Sequence, residues 1–312
     1  MSEFASLTST SNTGNADADI HAVVSRLIVY PIKSCAGVEV KESILTETGL
    51  EFDRAWMVVD EAGEFLNQRE LPRMALIRPQ LRHDDMVLRA PGMLALHIAL
   101  NEVEQPTRAC LWGETCAAFD MGSLAAQWFS DFLGQRVRLV RFDPDEKRLS
   151  SLTWTDGIKA RTQFSDGFPL LLVSEASLDG LNAKLTAAGS VAVSMLRFRP
   201  NIVIADGPGL RFLDGLLPHD EDRFSELRIQ TEQGPVLLKP VKPCPRCPIP
   251  NVDPATALVN TDVSDMLQSY RQDVRLEGAL SFGMNLIALD GGEHVDRLLK
   301  VGQLVAASYR FE

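Results

Sequence analysis

The segment KPVKPCPRCPIPNVDP, from Lys239 to Pro254, places two cysteines on a stiff and cationic stretch of chain. Six of its sixteen residues are proline, which fixes φ and has no backbone N–H to donate. The prolines that surround Cys247 exclude the helix that a redox-active CxxC pair usually opens. We therefore expect a rigid, non-helical segment that presents one thiolate.

Three interpretations of Cys244 and Cys247 remain open at this point: two buried structural thiols, a redox dithiol, or metal ligands. The CxxC spacing fits zinc, but a structural zinc site needs four ligands. The sequence has no second CxxC, and its five histidines show no ligand spacing. The neighbouring cations Lys239, Lys242 and Arg246 favour the thiolate form of a cysteine. One thiolate on a softer metal, held mostly by a cofactor, is therefore a further possibility.

The composition indicates a soluble globular protein. Of 312 residues, 45% are hydrophobic and 23% charged, and no apolar run approaches the ~18 residues of a membrane span. The net charge of −11 argues against nucleic-acid or anionic-membrane partners. Residues 1–21 contain no Lys or Arg and are predicted to be a disordered tail. Because they match neither a signal nor a transit peptide, a cytoplasmic location is expected.

Hydrophobic patterning predicts two β-rich halves, residues 22–142 and 143–312, in an α+β fold that is mainly antiparallel. The first strand is expected to begin at Val23, and AWMVVD-EAG-EFL predicts a hairpin. The run GSLAAQWFSDFLG predicts a helix with Ser123 as N-cap and Gly134 as C-cap. FPLLLVSEASLDGLNAKLTAAG predicts a strand and then a helix capped by Ser174 or Ser177.

Several ordered motifs resemble the MOSC domain family, which includes molybdenum-cofactor sulfurases, the mitochondrial amidoxime-reducing component and bacterial relatives. They are VYPIKSCAG, GLEFDRAWMVVDEAGEFLNQRELPRMALIRPQL, FSDGFPLLLVSEASLDGLN, RFRPNIVI, CPRC with NVDPATA, and FGMNLIALDGGEHVDRLLKVGQLV. The resemblance covers nearly all of the chain from Val23 onwards. It implies a barrel-like MOSC domain that follows a β-rich N-terminal partner domain.

The resemblance implies a molybdenum–molybdopterin cofactor, with Cys247 as the catalytic thiolate that ligates the metal. It also implies that six residues bind the cofactor: Lys33, Ser34, Arg54, Arg199, Asn201 and Arg246. A phosphorylated pterin is anionic and planar, so it calls for lysine, forked arginine and amide donors. Arg54 has a structural alternative, an ion pair with Asp53 or Asp60. The family also carries pyridoxal phosphate binding as a domain-level property.

The function that the resemblance implies is reduction of N-hydroxylated compounds, such as amidoximes, hydroxylamines and N-hydroxylated bases. The chain shows no flavin motif and no cysteine after Cys247, so electrons are expected from a separate ferredoxin-like protein or flavoprotein reductase. The alternative is a cofactor carrier or sulfuration-related protein without turnover. Two residues depart from the family pattern: Pro245 replaces a hydroxyl residue and Ala257 replaces a glycine. Cys244 is expected to be a core thiol, like Cys35, Cys110 and Cys116.

Overall fold

The computed structural model describes residues 18–103, 105–207, 215–289 and 297–310. The predicted disordered tail lies outside these ranges up to residue 17. The strands of the described part are β1 (Ile20–Val29), β2 (Val38–Val40), β3 (Glu42–Thr46), β4 (Gly49–Leu50), β5 (Trp56–Val59), β6 (Arg78–Leu81), β7 (Asp85–Arg89), β8 (Leu96–Ala99), β9 (Gln105–Leu111), β10 (Glu114–Asp120), β11 (Arg138–Phe142), β12 (Leu170–Ser174), β13 (Ile202–Ala205), β14 (Phe224–Thr231), β15 (Gly234–Pro245), β16 (Ser281–Ala288), β17 (Arg297–Lys300) and β18 (Leu304–Tyr309). The α-helices there are α1 (Gly122–Leu133), α2 (Glu175–Ala187) and α3 (Asp262–Gln268).

A closed barrel forms the centre of the fold. Its seven strands follow the order β13-β12-β16-β15-β14-β18-β1, and β1 pairs back onto β13. The β12–β13 pair is parallel, and the other barrel pairs are antiparallel. Side chains that alternate along the strands, such as Leu170 and Leu172, fill the interior core. The predicted α+β, β-rich and mainly antiparallel fold is confirmed.

The first strand begins earlier than its sequence suggests. It starts at Ile20 rather than Val23, because residues 20–23 pair with β18 near the other end of the chain. Ile20, Ala22 and Val24 alternate into the core, which fixes the register of this extension. Thus β1 belongs to the barrel formed otherwise by the second half, and the boundary between residues 142 and 143 stays a prediction.

The first half otherwise builds smaller sheets, β5-β11-β10-β9 and β6-β7-β8, and helix α1 packs against them. The hairpin after β5 is present, with Gly63 at φ 84° in its turn. Helix α1 ends as predicted at Gly134, which adopts φ 74°. The predicted N-cap is wrong: the helix begins at Gly122, whose N–H donates to the Asp120 carboxylate at 2.7 Å. Ser123 therefore lies inside the first turn.

Helix α2 begins where the sequence indicates. The Ser174 side chain accepts a hydrogen bond from the backbone N–H of Ser177 at 3.1 Å, which satisfies a free donor at the helix start.

The candidate site lies at the ends of three barrel strands, β1, β13 and β15. β1 leads into the turn at residues 30–36, and β13 follows residues 199–201. Strand β15 runs through Cys244 to Pro245, with register shifts against β16 at Lys242 and Pro245. The Cys244 segment is therefore a bulged strand end rather than a loop, and bulges of this kind redirect side chains.

Candidate functional site

All seven predicted site residues line one cavity of about 510 Å³. They come from four separate segments of both halves of the chain: Lys33, Ser34, Arg54, Arg199, Asn201, Arg246 and Cys247. The cavity lies where the end of β1, the turn before β13 and the end of β15 meet. The fold therefore brings together the residues that the sequence motifs single out, while their individual roles remain to be proposed.

A buried tyrosine supports two of the arginines. The guanidinium carbons of Arg54 and Arg199 lie 4.4 and 4.2 Å from the centroid of the Tyr30 ring. Burial raises the pKa of Tyr30 to about 12, so its hydroxyl stays neutral. Burial, and next the charge of Arg54, lower the pKa of Arg199 to about 10. Two cations thus face each other at this wall, and an anion would relieve their repulsion.

A buried hydrogen-bond network fixes Arg54. Its Nη1 donates to the Asp53 carboxylate at 2.5 Å and to Asn201 Oδ1 at 3.2 Å, and its Nη2 donates to the Arg199 carbonyl at 3.1 Å. Asp53 is buried and also accepts the N–H of Tyr30 at 2.8 Å. The predicted alternative of an Asp53–Arg54 pair is therefore present, and Arg54 lines the cavity as well.

Three of the predicted residues hold a left-handed backbone. Ser34, Arg54 and Arg199 have φ values of 66°, 51° and 57°. Such conformations cost non-glycine residues of order 1–3 kcal/mol each, and they cluster at functional sites. The turn at residues 30–36 is tied to residues 53–56 by backbone bonds, including Lys33 N to the Trp56 carbonyl at 2.8 Å.

Lys33 is buried and meets a carboxylate that the sequence did not single out. Its Nζ donates to Asp166 at 2.5 Å and to the Phe164 carbonyl at 2.9 Å. Burial lowers the pKa of Lys33, and the opposing charge of Asp166 limits the shift. The indole N–H of Trp112 donates to the same Asp166 oxygen at 3.0 Å. Through Asp166, Lys33 and Trp112 of the first half contact the second half of the chain at the cavity.

The two cysteines of the cavity, Cys244 and Cys247, flank Arg246, and these three residues form what we call the thiol wall. The Nη1 of Arg246 lies 2.9 Å from Cys244 Sγ, and its Nη2 donates to the Phe198 carbonyl at 2.7 Å. Cys244 is half-buried: it packs against the core around Phe198 and Phe282, as expected of a core thiol, and it also lines the cavity. Cys247 is half-buried as well and lines the same cavity.

Two buried guanidinium nitrogens of cavity-lining residues lack a hydrogen-bond acceptor among the described residues. They are Arg199 Nη2 and Arg246 Nε. An unpaired buried donor is costly, and more so when it carries charge. Both nitrogens belong to residues that line the cavity. The donor set therefore fits an anionic ligand with several acceptor oxygens, together with a thiol on the same cavity wall.

The seven predicted site residues cover only part of the lining, although most of the remaining residues stand within the same quoted segments. The additional polar and aromatic residues include Phe65, Asn67, Arg69, Trp112, Asp166 and Lys242. One available signal was the pair Trp112–Gly113 between β9 and β10. Both residues adopt positive φ, at 57° and 80°, in a turn type that usually takes asparagine and glycine. A half-exposed tryptophan at such a strained position indicates a role in contacts beyond packing.

The barrel, its N-terminal partner sheets and this cavity define a two-part MOSC protein. Residues 21–136 match the MOSC N-terminal beta barrel domain, and residues 159–306 match the MOSC domain. The chain belongs to the MOSC family that includes the mitochondrial amidoxime-reducing components, which confirms the resemblance in its motifs.

Two relatives carry that name. The chain is 36% identical to mitochondrial amidoxime reducing component 2 of Rattus norvegicus, over 80% of this chain and 72% of that protein. It is 34% identical to mitochondrial amidoxime-reducing component 1 of Homo sapiens, with the same coverage. It is also 29% identical to the molybdenum cofactor sulfurase of Oryza sativa subsp. japonica, over 94% of this chain and 36% of that protein.

Among the described residues, no helix has the length and apolarity to cross a membrane. The predicted cytoplasmic location stays a prediction, since the two amidoxime-reducing components are named mitochondrial. Pyridoxal phosphate binding and the absence of nucleic-acid partners also stay predictions.

Proposed function

We propose that this protein is a molybdenum-cofactor-dependent reductase of N-hydroxylated compounds that receives electrons from a separate redox protein. The observation that carries the proposal is a pair of unpartnered buried nitrogens, Arg199 Nη2 and Arg246 Nε, on two residues that line the same cavity as Cys247. The names of the mammalian relatives support the amidoxime class of substrate.

The residues present fit a phosphorylated pterin. Arg199 and Arg246 would donate to its anionic or ring acceptors, and Arg54 and Asn201 would hold that wall in place. Lys33 and Ser34 would contact it from the turn after β1. Cys247 would supply the protein thiolate to molybdenum. When bound, the cofactor supplies two-electron chemistry at the N–O bond, and the protein supplies binding and orientation.

The overall reaction takes up two electrons and two protons. The N–O bond breaks, the oxygen leaves as water, and the nitrogen keeps a hydrogen in its place. The electrons would come from a ferredoxin-like protein or a flavoprotein reductase.

Turnover of a defined substrate tests the proposal. Protein purified from a host that makes the cofactor would be mixed with reduced methyl viologen and benzamidoxime or hydroxylaminopurine, and the reduced product would be measured by chromatography. We expect turnover by the loaded protein and none by Cys247→Ala. A protein that retains molybdenum but reduces neither compound would contradict the reductase.

The alternative is a cofactor carrier, which the match to a molybdenum cofactor sulfurase over 94% of this chain supports. A carrier would transfer its molybdenum to an apo-enzyme during incubation, whereas a reductase would retain it through repeated buffer exchange. Retention with turnover supports the reductase, and release without turnover supports the carrier.

A further inference from the structure

The cavity has a large excess of positive charge. Six cationic side chains and one carboxylate line it within the described ranges. Two of the cations have carboxylate partners, Lys33 with Asp166 and Arg54 with Asp53. Four remain: Arg69, Arg199, Lys242 and Arg246. In a chain of net charge −11, such a concentration of unpaired cations points to anionic ligands.

The proposed cofactor accounts for two of these four charges. A phosphate monoester carries about −1.5 to −2 charges at neutral pH. Arg199 and Arg246 hold the unpartnered buried nitrogens, and both are among the residues assigned above to the cofactor. Arg69 and Lys242 are then left without a charge partner in the same cavity.

Arg69 is held in place by an aromatic ring and an amide. Its guanidinium carbon lies 4.8 Å from the Trp112 ring centroid, and its Nε donates to Asn67 Oδ1 at 3.0 Å. Asn67 is buried, and Trp112 is anchored through its own N–H to Asp166. These neutral contacts orient the Arg69 side chain and leave its charge uncompensated.

Lys242 is held in a similar way on another wall. Its Nζ lies 4.9 Å from the Trp154 ring centroid. On the same strand, Lys239 forms a salt bridge with Asp156 at 2.7 Å. Neither Lys242 nor Arg69 has a carboxylate within salt-bridge distance in the part of the chain that the structure describes. Two residues that line the space a substrate would enter therefore carry cations oriented by tryptophans, without counter-ions among the described residues.

We propose that the cavity selects N-hydroxylated substrates that carry an anionic group, a carboxylate or a phosphate, and that Arg69 and Lys242 determine this specificity. The inference rests on the proposed reductase function and names the class of its substrate. An anionic group in this partly enclosed space gains charge-assisted hydrogen bonds from donors that are already oriented, whereas a neutral analogue leaves them unused.

Paired substrates test the selectivity. We would measure kcat/KM for para-carboxybenzamidoxime against benzamidoxime, and for N-hydroxycytidine monophosphate against N-hydroxycytidine. The first pair reports on a carboxylate and the second on a phosphate. We expect wild type to prefer at least one anionic member by about tenfold, mainly through KM. Equal kcat/KM values within both pairs would overturn the proposal.

Matched variants assign the preference to residues. Lys242→Gln and Arg69→Gln should each reduce the kcat/KM preference for the anionic substrate by about threefold to tenfold, and the double variant should abolish this preference. Lys239→Gln, which removes a paired lysine from the same strand, should leave it unchanged. A preference that persists in the double variant would overturn the assignment.

Binding and metal content separate this inference from the reductase itself. Calorimetric titration with para-carboxybenzamide and with benzamide, neither of which is an N-hydroxy compound, measures the anion site without turnover. Binding of the carboxylated analogue alone, lost in Lys242→Gln, would support the anion site even if the protein reduced nothing. If Lys242→Gln or Arg69→Gln lost molybdenum instead, these residues would bind the cofactor and the proposal would be wrong.

Discussion

Arg54 and Cys247 line the same cavity, but Arg54 is fixed by buried side chains and Cys247 by the backbone around it. Arg54 is held by Asp53, Asn201 and the Tyr30 ring. The difference teaches that the cation wall, formed by Arg54 and Arg199 on the Tyr30 ring, is part of the core. A change there should therefore lower the stability of the fold. A change at the thiol wall should alter ligand binding more than stability.

The backbone around Cys247 is restrained at both ends. The Arg246 N–H donates to the Leu280 carbonyl at 2.7 Å, which continues the pairing of β15 with β16. After Cys247, a single 3-10 turn at Ile249–Asn251 follows. The Asp253 side chain accepts hydrogen bonds from the backbone N–H groups of residues 255 and 256, so it fixes the next turn. Prolines and turns therefore position the thiol.

The largest effect is expected at the cation wall. Asp53→Asn removes the charge partner of Arg54 from a site where Asp53 is 2% exposed. Because Arg54 would remain as an uncompensated charge, we expect the free energy of unfolding to fall by about 3–5 kcal/mol in urea titrations. Asp156→Asn, at the exposed partner of Lys239, is the control and should have no measurable effect. A loss at Asp53 below about 1 kcal/mol would contradict the contrast between the walls.

A smaller effect on the free energy of unfolding, which depends on pH, is expected at His219 behind the thiol wall. The His219 ring packs on the Phe282 ring, and the Phe282 ring stacks on Phe198 with 4.0 Å between the ring centroids. The carbonyl of Phe198 accepts a hydrogen bond from Arg246. Burial, and next the charges of Arg271 and Lys184, lower the pKa of His219 to about 3. The folded protein therefore keeps this imidazole neutral.

The unfolded chain takes up a proton at His219 below pH about 6.5, so stability should fall as the pH drops from 6.5 towards 3. His219→Asn, which tolerates the φ of 70° at this position, should lose less stability than wild type, by about 1.6 kcal/mol between pH 6.5 and 5. The exposed His83→Asn is the control and should keep the wild-type slope. Identical slopes in all three proteins would show that His219 does not titrate differently on folding.

The smallest effect concerns the turn after the thiol. Ala257, where the family pattern has glycine, adopts φ 59°. Ala257→Gly should relieve this strain and raise the free energy of unfolding by about 0.5–1 kcal/mol. Ala255→Gly lies in the same turn without positive φ, so it should destabilise instead. Destabilisation by both glycines would show that the turn tolerates alanine without strain.

Local signals explain what could be predicted from the sequence. Gly134 and Ser174 mark helix ends through their own conformation or side chain, and both predictions are confirmed. The start of α1 was missed because the acceptor comes from Asp120 in the preceding strand. The start of β1 at Ile20 depends on pairing with β18, nearly the whole chain away.

The site residues also divide into those that local motifs predict and those that depend on distant contacts. The arginines and the thiol of the site stand in recognisable motifs, whereas Asp166 reaches Lys33 across 133 residues of sequence. Lys242 stands in the cysteine segment itself, and Trp112 enters the cavity through a local two-residue turn outside the quoted motifs. A contact between distant segments, such as Lys33 with Asp166, leaves no mark in a local pattern.

Elemental analysis for molybdenum tests the central claim most directly. Wild type, Cys247→Ala and Cys244→Ala would be purified from a host that makes the cofactor, with circular dichroism as the control for folding. We predict nearly stoichiometric molybdenum in wild type, a sharp loss in Cys247→Ala and retention of most of the metal in Cys244→Ala. Molybdenum that persists in Cys247→Ala, or that is absent from folded wild type despite cofactor supply, would contradict the account.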